Sequence, residues 1–151
     1  MKVEEHYREA ASHALAGFQL IEEGLKSYID LYHQAVRRLL SEKLTYRYAR
    51  KDVQDAAYGK LVEVFGKVNG NDELIADLRS LKKIRDDLAH KAFVNLYGTM
   101  PEDAELRRRA DLYIGVADKI GKLMGRIQRE AALMVAVAPE ARDLATLIPG
   151  R

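Results

Sequence analysis

The chain has 151 residues, 48% of them hydrophobic and 32% charged, with a formal net charge of +2 and no cysteine. One domain with its own core is expected at this length, and the missing Cys excludes disulfides, thiolate catalysis and Cys-ligated zinc while suiting a reducing cytoplasm. The near-balanced charge leaves any nucleic-acid binding to local clusters of Lys and Arg, and the longest uncharged apolar run, Ala131 to Ala138, is too short to cross a bilayer.

Residues 1–13 are polar, with Glu4, Glu5, Arg8 and Glu9, and predict a frayed or loosely docked helical lead-in. The charges there leave no apolar core for a signal peptide, so a cytoplasmic protein without membrane contact is expected. From Leu15 to about residue 43, Phe18, Leu25, Ile29, Tyr32, Val36 and Leu39 form the seam of a first long helix. Glu22 sits on the edge of that seam. Residues 41–52 have no helical stripe but carry Lys43, Arg47, Arg50 and Lys51 with Tyr46 and Tyr48 between them. Cations and aromatic rings together suit single-stranded RNA, through phosphate neutralisation and base stacking. The same segment also reads as a solvated connector whose tyrosines pack on the end of the bundle.

Asp52 predicts an N-cap for a second helix that buries Val53, Ala57, Leu61, Val64 and Val68 and stops at Asn69-Gly70. Asn71 or Asp72 caps a third helix, which Gly98 ends. Pro101 and the acidic Glu102, Asp103 and Glu105 suit the first turn of a fourth. There Leu106, Ala110, Tyr113, Ala117, Ile120, Met124, Ile127, Ala131 and Met134 alternate steps of four and three, the mark of near-parallel helix packing. Gly115, Gly121 and Gly125 in so regular a helix suggest close backbone approach. Pro139 is expected to end the helix, leaving 139–151 as a tail. Together these elements predict an all-α, up-down four-helix bundle with a long C-terminal helix that overhangs its partners and therefore pairs with a second copy.

The third helix carries the chemistry. Leu74, Leu78, Leu81, Leu88, Ala92 and Leu96 line one face, and at about 100° per residue Arg85 falls within it. A guanidinium in that position requires an anion, either Glu22 from the facing helix or a bound phosphate. Asp86 and His90, four residues apart, are neighbours on another flank.

The run Arg85-Asp86-Asp87-Leu88-Ala89-His90 resembles the Arg-polar…His signature of the HEPN (higher eukaryotes and prokaryotes nucleotide-binding) superfamily, and the likeness extends over about residues 14–137. It implies a single HEPN-like helical domain and a dimer whose paired motifs form one composite site. Many such domains are metal-independent endoribonucleases, acting as toxins or in phage defence; others are non-catalytic interaction or regulatory modules, or bind nucleotides. Carried over residue by residue, His90 would handle the proton of the 2′-hydroxyl or the leaving oxygen. Arg85 would hold the scissile phosphate, and Asp86 would orient either of them. Attack by the 2′-hydroxyl would spare DNA. Lys91 and Asn95 lie within a turn or so of His90 as auxiliaries. On an ideal helix Arg85 and His90 diverge by about 140°, which a two-fold dimer resolves by lining one groove with both copies.

The chain departs from the family where toxins paired with nucleotidyltransferase antitoxins carry a modified Tyr two residues after the His. Ala92 stands there, so regulation by adenylylation at that position is not expected. His6 and His13 lack a completing carboxylate, so neither metal nor cofactor is expected. Arg107, Arg108 and Arg109 read as a solvated turn balancing Glu102 and Glu105. The partners implied are a second copy, RNA, and an antitoxin or defence-system protein.

Overall fold

A computed structural model describes residues 2–92, 94 and 101–146, with side chains up to residue 136. Every regular element among the described residues is a helix. In chain order they are α1 (Val3–Leu39), a single turn α2 (Lys51–Gln54), α3 (Tyr58–Val68), α4 (Asp72–Ser80), α5 (Lys82–Lys91) and α6 (Asp103–Thr146). None is long and apolar enough to cross a membrane.

The frame of the bundle is α1 against α6, the largest helix–helix contact in the molecule. Tyr7 meets Tyr113, Gly17 meets Ile120 and Gly24 meets Ile127, so residue numbers rise together and the two helices run parallel. The bundle is therefore not strictly up-down. After α1 the chain turns back without helix: Tyr46 and Tyr48 lie against His33, and Arg50 reaches Glu23. This non-helical descent lets α3 run parallel to α1, with Tyr58 on Phe18 and Phe65 on Tyr28. Then α4 and α5 come down, Arg85 facing Glu22 and the Ala92 carbonyl accepting from Tyr7, before α6 rises again.

The polar start of the chain is not a frayed lead-in. α1 begins at Val3 and buries Tyr7, Ala10, Ala11 and Ala14 in register with Phe18, Ile21 and Leu25. Alanines supply little hydrophobic signal but allow close approach, and the Tyr7 hydroxyl donates to the Ala92 carbonyl at 3.0 Å. At the other end α1 stops at Leu39, short of residue 43, and Leu39 is exposed.

The second predicted helix starts late. Asp52 accepts from the Ala49 amide at 2.9 Å but closes only one turn, and α3 begins at Tyr58, whose buried hydroxyl donates to the Leu78 carbonyl at 2.8 Å. Tyr58, Leu61, Val62 and Phe65 are buried; Val64 and Val68 are partly so and Ala57 is exposed. Asn71 caps α4 as expected, accepting from the Leu74 amide at 3.0 Å. The neighbouring Asn69 is buried and donates to Tyr28 Oη at 2.9 Å and Glu130 Oε2 at 3.0 Å, while Asn71 donates to Glu130 Oε1 at 2.7 Å. These four polar groups lock the α3–α4 corner onto α1 and α6.

The third predicted helix is two. Leu81 breaks it: its amide bonds back to Leu78 with three-residue spacing at 3.2 Å, and its carbonyl opens α5 by accepting from the Arg85 amide at 2.9 Å. Gly98, expected to end it, lies outside the described residues. In α6 the expected seam is seen, with Leu106, Ala110, Tyr113, Ile120 and Ile127 buried and Val116 and Leu123 added to it. The helix does not stop at Pro139 but continues to Thr146; a proline removes one backbone hydrogen bond and can be carried inside a long helix as a local defect. Its glycines also differ from expectation. Gly115, Gly121 and Gly125 face open space, and the close approach is made by α1, where a Cβ at Gly17 would stand 3.0 Å from Ile120 Cγ2 and one at Gly24 3.2 Å from Met124 Cε.

Candidate functional site on α5

The break at Leu81 gives α5 its own orientation, with Leu88 and Ala92 buried and Arg85 on the edge facing α1. Arg85 donates through Nε and Nη2 to the same oxygen, Glu22 Oε1, at 3.0 and 2.7 Å. The two side chains are 23% and 16% exposed, so the pair is drawn well out of water and the inward cation has its anion within the chain. Arg85 Nη1 lies 3.8 Å from Asp86 Oδ1. Nearby, burial pushes the Tyr58 phenol well up, with the Glu22 charge adding to the effect and Arg85 opposing it.

Asp86 is not hydrogen-bonded to His90. It accepts from Lys82 Nζ at 2.6 Å, and this bond holds its carboxyl below the usual range, with slight burial opposing and the charges of Lys82, Arg85 and His90 assisting. His90 is exposed and has no hydrogen-bond partner among the described residues. Arg85 and His90 therefore occupy different sides of α5, about 140° apart. Lys91 pairs with Asp87 at 3.1 Å. Asn95 lies outside the described residues.

The basic segment is split between packing and exposure. The ring of Tyr48 stacks on His33 with centroids 3.8 Å apart, Tyr46 hydrogen-bonds to His33 Nδ1, and Arg37 Nη2 donates to the Tyr48 carbonyl at 2.8 Å. Burial pushes the Tyr48 phenol up and the His33 imidazole down, and the Tyr48 hydroxyl is buried without a partner among the described residues. These rings serve the bundle end. Arg50 is tied to Glu23 at 3.3 Å, and Lys43, Arg47 and Lys51 are exposed.

The expected pairing of the arginines with Glu105 is present for Arg108 and Arg109, and it comes with a cleft against α5 that the sequence does not show. Arg108 and Arg109 both hold Glu105 and border a cleft of about 220 Å³ with Asp87 and Lys91 of α5 and Leu112 and Tyr113 of α6. The two arginine bonds pull the Glu105 carboxyl down to about 2, and burial pushes the Tyr113 phenol up to about 12. The short connection from Lys91 to the start of α6 was the available signal, because it returns the arginines to the end of α5. Arg107 stands apart, beside His6 and Asp111. Among the described residues no three His, Cys, Asp or Glu side chains form a group able to hold a metal ion.

No known family model matches this chain, and neither does any curated protein or solved structure.

Proposed function

We propose that the protein is a HEPN-like domain that cleaves single-stranded RNA without a metal, at a groove formed by α5 of two copies. The observation that carries this reading is the division of labour on α5: Arg85 is held in place by Glu22, and His90 stands exposed five residues later. An exposed imidazole is free to meet a substrate proton, and a preorganised guanidinium is suited to a phosphate that reaches it from a partner. Attack by the 2′-hydroxyl on the adjacent phosphate breaks the bond to the 5′-oxygen, leaving a 2′,3′-cyclic phosphate on one fragment and a 5′-hydroxyl on the other. Asp86 acts on Arg85 by proximity and not on His90 by hydrogen bond. Such an enzyme fits a toxin or phage-defence role in the cytoplasm, restrained by an antitoxin or defence-system protein.

A second reading, a non-catalytic interaction or regulatory module, draws on the same pair: Glu22 already neutralises Arg85, so the fold needs no phosphate there. Incubation with single-stranded RNA in EDTA separates the two. The nuclease reading expects cleavage by the wild type to fragments ending in a cyclic phosphate, and none by His90→Ala or Arg85→Ala. Equal cleavage by all three preparations, or by none, favours the module. Sedimentation of the wild type tests the dimer.

A further inference from the structure

The α5–α6 cleft brings Lys91, Arg108 and Arg109 together against a single lining carboxylate, Asp87, with Leu112 at its mouth and Tyr113 in its wall. We propose that this cleft holds a backbone phosphate of single-stranded RNA beside His90, an inference that takes its substrate from the ribonuclease reading above.

Three features support it. First, the carboxylates that engage these cations lie on the cations' own helices, Asp87 for Lys91 at 3.1 Å and Glu105 for Arg108 and Arg109 at 2.7 Å, and Arg109 also meets the Tyr7 hydroxyl of α1. Lys91 and Arg108 are 71% and 66% exposed, and exposed pairs of this kind are weak and screened, so an incoming phosphate can take these two cations over while Arg109, 28% exposed, stays with Glu105. Secondly, Arg108 sets its Nε–Nη2 fork on the two oxygens of Glu105 at 2.7 and 2.8 Å, the paired-donor geometry that also suits two phosphate oxygens. Thirdly, Lys91 follows His90 directly, about 100° round the helix. A strand laid across the outward crest of α5 therefore meets the imidazole and the cationic cleft in succession within one protomer. Contacts of this type grip the backbone and leave base identity unread.

The test is equilibrium binding of a fluorescent 2′-O-methyl oligoribonucleotide, which lacks the attacking hydroxyl and so reports binding without cleavage, over a range of salt. Lys91→Ala/Arg108→Ala is expected to weaken binding by about tenfold or more and to lower the log–log salt slope by about one to two. Lys60→Ala/Lys67→Ala, which removes equal charge from the exposed face of α3, is expected to stay within about twofold. Equal loss in both variants, unchanged binding in the cleft variant, or no binding by the wild type would overturn the proposal, as would binding of ATP without binding of the oligonucleotide. The two readings fail separately. Cleavage by the wild type with normal binding by the cleft variant removes the cleft and keeps the nuclease, whereas selective loss of binding with no cleavage by any preparation does the reverse.

Discussion

The two flanks of α5 carry charge on different terms. On the flank facing α1, Arg85 is three-quarters buried and makes two hydrogen bonds to Glu22, and further along the same flank Leu88 and Ala92 are buried and the Ala92 carbonyl accepts from Tyr7. On the outward flank, Asp86 is hydrogen-bonded to the exposed Lys82 and His90 is exposed without a hydrogen-bond partner among the described residues. A charge on the first flank is part of the folding free energy, because removing its partner strands an ion away from water. A charge on the second can be exchanged with little structural consequence, the condition required of a group that must change protonation during chemistry. The motif thus joins a structural cation to a free imidazole.

The sharpest way to separate the flanks is His90→Ala. Unfolding in urea should shift by less than about 0.5 kcal/mol, as for other exposed positions, while RNA cleavage falls by about two to four orders of magnitude. A stability loss as large as the activity loss would erase the distinction. Next in size is Glu22→Ala, which leaves Arg85 without its anion and should lower stability by about 2–3 kcal/mol. Replacing both partners with apolar groups, Glu22→Leu with Arg85→Met, should recover at least half of that loss. If the double variant is no more stable than Glu22→Ala, the penalty is one of packing and not of a stranded charge.

Much of this was legible in the sequence where a signal was both strong and local. The alternating steps from Leu106 to Ile127 gave α6, Asn71 gave a cap, and an Arg inside an apolar stripe required an anion, side chain or phosphate, which in the structure is Glu22. What escaped depended on the third dimension. The alanines at 10, 11 and 14 contribute by being small, so their value shows only when α6 lies against them. Glycines in α6 drew attention because that helix is so regular, yet approach distance is set by the partner, and Gly17 and Gly24 are the ones a Cβ would crowd. The break at Leu81 leaves no Gly or Pro in its wake, and the parallel course of α1 and α6 follows from a non-helical return whose tyrosines could equally have been read as a stacking surface.

Tyr7→Phe probes the inner flank more gently. It removes a buried donor and leaves the Ala92 carbonyl without that partner, an expected loss of about 1 kcal/mol in urea unfolding. No change would mean that this hydrogen bond does not anchor the end of α5 to α1.

The smallest effect lies on the outer flank, at Lys82→Ala. Its hydrogen bond is the main reason Asp86 titrates below the ordinary value of 3.8. A carboxyl depressed in the fold stabilises it above the unfolded value, and that contribution is lost as pH falls through the folded one. The contribution is therefore present at pH 7 and lost at and below about pH 4, and because the Lys82–Asp86 pair is exposed it is too small for Lys82→Ala to change stability at pH 7 measurably. Carbon-detected NMR titration of the Asp86 carboxyl should show its midpoint rising towards 3.8 in Lys82→Ala and moving less in His90→Ala, since the imidazole acts only through its charge. The reverse order would make His90 the principal partner of Asp86, joining acid and imidazole into one unit and contradicting the independence of His90 that the ribonuclease proposal assumes.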